Sequence, residues 1–168
     1  MKRTTVEKIV LTVAMAVWLV FLPMTGYDSN VIDGSDVPNH LAYMLSHANI
    51  WHLLGNLFVF WLFRGNLYLL ESMIIAFVFS FFPAWGIWPI GVTVGFSGVI
   101  FAILGIKWGV YCRDSAEKSE ESGDAAMVNF ITKTIPFVLI GIVIPHINWC
   151  LHLYCLLAGF VYGRYNRF

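Results

Sequence analysis

Six apolar runs, at about 9–25, 47–63, 67–84, 94–112, 127–145 and 148–164, dominate this chain of 168 residues. Each reaches or approaches the roughly 20 residues that a helix needs to cross a bilayer core. The second and sixth are short or broken by polar groups, and Lys133 sits near the start of the fifth. Only 12% of residues are charged, half the share of a typical soluble domain at about 25%. The ten Lys+Arg cancel the ten Asp+Glu, so no basic field exists to hold nucleic acid, and none is expected as a partner. Three Cys do not make a disulfide framework. No period of about 20–50 residues recurs, which argues against a repeat array or an inverted-repeat transporter. The expectation is a single all-α domain over residues 1–168, embedded in a lipid bilayer.

Charge gives the orientation. The basic residues are Lys2, Arg3, Lys8, Arg64, Lys107, Arg113, Lys118, Lys133, Arg164 and Arg167, whereas 26–46, 85–93 and 145–148 contain none. With six spans and an inward N-terminus, every cation falls on the cytoplasmic side or within snorkelling reach of it. The first run follows Lys2, Arg3 and Lys8 as a signal peptide would. No small-x-small cleavage site follows it, and Pro23-Met24-Thr25-Gly26-Tyr27 reads as an interfacial exit, so the run is expected to stay as a span. The polar stretch 113–126 is expected to be a solvated cytoplasmic linker between the fourth and fifth spans.

Polar side chains inside a membrane are costly and point to function. In this topology the second, fourth and sixth runs all enter from the outer face. His52 and Asn56 then lie a few residues into the second, Ser97 into the fourth and His152 into the sixth. At about 1.5 Å per residue, all four share the outer third of the bilayer.

Ser97 stands in Gly95-Phe96-Ser97-Gly98. A G-x-S-G match is weak by itself, and a small residue in helix packing is the plain alternative. The flanking glycines, however, leave the hydroxyl uncrowded, and the first turn of a helix has free N–H groups able to hold an oxyanion. Cys155, Gly159 and Gly163 repeat at four-residue spacing on the side of His152, and Gly98, Ala102, Gly105 and Gly109 form a comparable ridge after Ser97. Small residues let membrane helices approach closely, as a Ser–His hydrogen bond of about 2.6–3.2 Å requires. The alternative for His152 is a histidine capping a buried carbonyl.

His52 and Asn56, four apart, project from one helix face and suit oxyanion donors better than a metal site. His47 belongs at the loop–helix junction, where it is expected to pin the preceding loop. His40, His146 and Asn148 read as ordinary outer-surface residues. Asp28, Asp33 and Asp36 lie in the outer loop and Glu71 near the inner end of the third run, so no carboxylate stands at the depth of His152. The constellation is a Ser–His dyad without an acid. Neither the H-E-x-x-H of zinc proteases nor a carboxylate pair at one depth occurs, and neither metal nor cofactor is expected.

His47-x4-His52-x3-Asn56, the Gly95–Gly105 run around Ser97, and His152 with Gly159 together resemble the rhomboid family of intramembrane serine proteases, over about residues 40 to 163. The resemblance implies a bundle of six transmembrane helices, here with both termini cytoplasmic, in a multi-pass protein that cleaves transmembrane protein substrates. It implies Ser97 as nucleophile, His152 as general base, and an oxyanion hole of His52, Asn56 and the Ser97 N–H. Gly95, Gly98, Phe101, Gly159 and His47 would support the site, with the fifth span and the loop at 145–148 as gate and cap. The small size is expected of a prokaryotic plasma-membrane member.

Three departures stand out. Pro38-Asn39 occupies the place of a common Trp-Arg pair, so the first outer loop must be held differently. Phe101 stands where Tyr often packs on the catalytic histidine, and Cys155 stands where Gly is usual, a thiol that threatens to widen the Ser–His gap. Two other functions stay open: a rhomboid-fold binder of membrane helices without catalysis, and a proton path through His52 and His152.

Overall fold

The computed structural model describes residues 3–25, 37–82, 93–143 and 148–167. Among them the chain forms α1 (Arg3–Thr25), α2 (Val37–Ala42), α3 (Ile50–Leu62), α4 (Leu69–Ser80), α5 (Ser97–Ala116), α6 (Glu120–Val143) and α7 (Trp149–Tyr165), with no strand among the described residues. Six of these match the six apolar runs. The short α2 interrupts what reads from sequence as outer loop.

The linker expected over 113–126 shrinks to 117–119. The reason is local capping. Ser119 Oγ accepts the Ser122 N–H at 3.1 Å, and Glu120 and Glu121 fill the first turn of α6, where acidic side chains offset the helix dipole. Most side chains of this stretch are exposed, and they belong to helix ends.

Among the described residues, α1 is the one helix with an apolar window of 18 residues, of mean hydropathy 1.7 over Thr4–Phe21. α3 and α4 are apolar but have 13 and 12 residues, about 18–20 Å of helix at 1.5 Å per residue. Their outer faces are nonetheless apolar: Trp51 is 77% exposed, Phe58 68% and Leu70 69%. Such surfaces need a cover that water does not provide.

α5 forms the centre. It packs along α7, with α4 and α6 on its flanks, while α1 lies on α3. The α5–α7 seam is made of glycines. A Cβ on Gly105 would run into the Leu156 carbonyl and lie 2.8 Å from the Phe160 nitrogen. On Gly109 it would meet the Phe160 carbonyl, on Gly159 the Ala102 carbonyl and on Gly163 the Ile106 carbonyl. Backbone therefore touches backbone from Ala102 to Gly163, the close approach that the small-residue ridges predict. A Cβ on Gly98 would lie 3.2 Å from the Tyr43 hydroxyl and 3.6 Å from both the Ala76 Cβ and the Leu151 Cδ2, so this end of the ridge meets α4 and the turn after α2 as well as α7.

Cations tie helix ends together at the other end of the bundle from Ser97. Lys8 Nζ donates to the carbonyls of Trp61 at 3.1 Å and Phe63 at 2.6 Å, covering the C-terminus of α3. Lys107 Nζ donates to Arg64 O at 2.6 Å. α6 is held by Phe130 stacked on Phe160 at 4.4 Å and by Lys133 over the Trp108 ring at 5.6 Å.

Candidate active site

Ser97 is the first residue of α5 and His152 lies in the first turn of α7. Because the glycine seam holds those helices together, the two side chains meet: His152 Nε2 stands 2.7 Å from Ser97 Oγ. A hydroxyl that donates to Nε2 leaves the proton of the neutral ring on Nδ1, the tautomer a general base requires. Phe101, one turn below Ser97, stacks on the imidazole at 4.5 Å with 11° between the planes, so its ring fixes that of His152. Cys155 is fully buried in the core. Its thiol does not widen the gap, which keeps a normal hydrogen-bond length.

Asn148 is not the ordinary surface residue that its place in an outer loop suggests: it fixes the start of α7. Asn148 caps α7, its Oδ1 accepting the Leu151 N–H at 3.1 Å, and its Nδ2 donates to Thr93 Oγ1 at 3.0 Å. One amide thereby links the segment before Ser97 to the helix of His152. An Asn ahead of an apolar run is a legible cap signal; its bond to Thr93 is not.

Opposite the dyad stands α3. Its N-cap is Asn49, whose side chain accepts the His52 N–H at 2.9 Å, a residue the sequence reading did not single out. His52 and Asn56 both face Gly95. A Cβ there would lie 2.8 Å from His52 Cε1 and Nε2 and 3.1 Å from Asn56 Nδ2. Gly95 adopts φ +114°, a region that side chains disfavour, and its N–H donates to Tyr43 O at 2.8 Å. Glycine is needed at this position for both space and backbone angle. Asn56 Nδ2 is buried and has no hydrogen-bond partner among the described residues, a donor held ready beside the loop that leads into Ser97.

His47 sits just ahead of α3. Its Nδ1 donates to Leu45 O at 3.0 Å, and its ring meets that of His52 edge-on at 5.2 Å. It ties the loop back on itself at Leu45 and also backs the His52 ring.

His40 is a second correction. Instead of lying on the surface, it is fully buried. Its Nδ1 is 2.8 Å from Ser80 Oγ, and its ring stacks on Phe81 at 3.7 Å. The cause is α2, which folds the loop onto the end of α4. The described residues therefore hold two Ser–His pairs, and geometry separates them. Ser80 Oγ donates its proton to Phe77 O at 2.6 Å, so it can only accept from His40, and the pair is sealed from solvent. Ser97 is partly exposed, opens a helix N-terminus and has His52 and Asn56 nearby. Of these two pairs, the one at Ser97 is open and has donors beside it. His146, the acidic residues Asp28, Asp33 and Asp36, and most of the cap expected at 145–148 lie outside the described residues.

A family model of the rhomboid domain matches residues 35–167, which takes in α2 to α7 and every residue of this site. No curated protein matches the chain. With most of its length covered by that match, the chain belongs to the rhomboid family, whose members are integral-membrane proteins and, in general, intramembrane serine proteases.

Proposed function

We propose that this protein is an intramembrane serine endopeptidase that cuts transmembrane segments near the outer membrane face with a Ser97–His152 dyad. The observation that carries the reading is the 2.7 Å contact between Ser97 Oγ and His152 Nε2, facing two amide- and imidazole-bearing side chains across Gly95. The chain crosses the membrane six times with both termini cytoplasmic, in a prokaryotic plasma membrane. The placement of its cations supports this orientation, as do the Lys8 and Lys107 contacts at the end of the bundle remote from Ser97.

The reaction follows from proton positions. His152 Nε2 takes the hydroxyl proton as Ser97 Oγ attacks the scissile carbonyl. Charge builds on the carbonyl oxygen, where the Ser97 N–H, Asn56 Nδ2 and His52 donate to it. The new imidazolium returns its proton to the leaving amine, the acyl-enzyme forms, and water activated by the same His152 releases the new carboxylate. Among the described residues no acid orients His152; the Phe101 stack and the α5–α7 seam do this instead. A substrate helix must unwind to present an extended segment, so small or helix-breaking residues favour cleavage.

The test is cleavage of single-span substrates in proteoliposomes, with cut sites mapped by mass spectrometry. Wild type cuts near the outer face and Ser97→Ala does not. Binding of the same substrates without cleavage by wild type would make the protein a helix binder instead.

A further inference from the structure

This chain has Pro38-Asn39 where a Trp-Arg pair commonly holds the first outer loop, yet the loop is held. Two contacts, one helical turn apart, fasten it to α4. His40 Nδ1 donates to Ser80 Oγ at 2.8 Å, and the Tyr43 hydroxyl donates to Ala76 O at 3.0 Å. Residues 40 and 43 on one side meet 80 and 76 on the other, which fixes a register and not merely a proximity. The Ser80 proton is committed to Phe77 O, so the imidazole must be the donor. Phe81 clamps its ring at 3.7 Å. From this anchored turn the Tyr43 carbonyl reaches back to the Gly95 N–H at 2.8 Å, and Gly95 is the residue against which His52 and Asn56 lie.

We propose that His40, braced on Ser80 and Phe81, is a positioning residue for the Ser97 site: it sets the register of the turn at 43–45 on α4, and through the Tyr43 carbonyl it holds Gly95 and the oxyanion loop in place. The inference rests on the protease reading for its effect on rate, but not for its effect on the loop. His40 touches no substrate. Its role is to keep Gly95 at its positive φ, so that the Ser97 N–H and Asn56 Nδ2 point at one oxygen. Misplacement by about 1 Å at such a site costs as much as 10²-fold in rate.

Three variants separate the parts of the brace. His40→Phe keeps a ring for Phe81 and loses the donor. Ser80→Ala, a mild change in a helix, loses the acceptor. His40→Asn keeps a donor near the place of Nδ1 and loses the ring. Two readouts are taken on the full chain in lipid nanodiscs: hydrogen exchange of the Gly95 amide, and kcat and KM on a single-span substrate. His40→Phe and Ser80→Ala are expected to speed Gly95 exchange about tenfold. Both should lower kcat by about tenfold with KM within about twofold of wild type, and the double variant should lose no more than either single one. His40→Asn should recover most of both. Unchanged Gly95 exchange in both single variants overturns the proposal, as does faster exchange with unchanged kcat. If wild type cuts nothing, the protease reading falls and Gly95 exchange alone decides the brace.

Discussion

Gly159→Ala probes the seam on which the dyad depends. The added methyl would occupy the space of the Ala102 carbonyl oxygen and lie 3.1 Å from the Ile106 nitrogen and 3.2 Å from the Ala102 carbonyl carbon. These are backbone atoms, so no side chain can swing away. Restoring an ordinary contact of 3.4 Å or more requires the helices to separate by about 1 Å. Gly163 is clamped on Ile106 below, so the separation opens toward the dyad two turns above. Starting from 2.7 Å, the Ser97–His152 distance then passes about 3.5 Å, beyond a useful hydrogen bond. We expect a loss of about 10²-fold in kcat, with a stability cost of about 1–3 kcal/mol from overpacking. Gly55→Ala is the control. Its Cβ meets nothing within 4 Å, so activity should hold and helix stability should rise by about 0.5–1 kcal/mol. Substrate cleavage kinetics and thermal melts of both variants decide the matter. Full activity in Gly159→Ala, or an equal loss in Gly55→Ala, would refute the argument that the seam sets the dyad distance.

Asn56→Ala should lower kcat by about 10²–10³-fold with little change in melting temperature, since Asn56 Nδ2 has no hydrogen-bond partner among the described residues; a large drop in melting temperature would assign it a structural role. Asn148→Ala removes a helix cap and the bond to Thr93 together. It is expected to cost about 1–2 kcal/mol, measured by chemical denaturation, and an unchanged midpoint would contradict the link between the two segments.

The α5–α7 seam is legible from residue type and period alone, because glycine at four-residue spacing has few other uses in an apolar helix. Ser97, His152, His52 and Asn56 are legible because polar groups at one membrane depth are rare and few arrangements unite them. His40 was not. Its partner Ser80 is forty residues away, and the helix that buries it is only six residues long. The helical content of 113–126 was hidden for a different reason. Solvation and helicity are compatible there, since Ser119 and the acidic pair after it cap a polar helix end, while composition reports only solvation. The helix lengths of α3 and α4, shorter than the apolar runs that contain them, reflect chain leaving the helix while remaining apolar, as at Phe63 and Leu67.

The most direct measurement follows from the presence of two serine–histidine pairs in one fold. Full-length protein in lipid is treated with a fluorophosphonate, digested, and the modified residue is located by mass spectrometry. The account predicts one adduct, on Ser97, that disappears in His152→Ala and persists in Ser80→Ala. An adduct on Ser80, or a Ser97 adduct that forms as fast without His152, would contradict it.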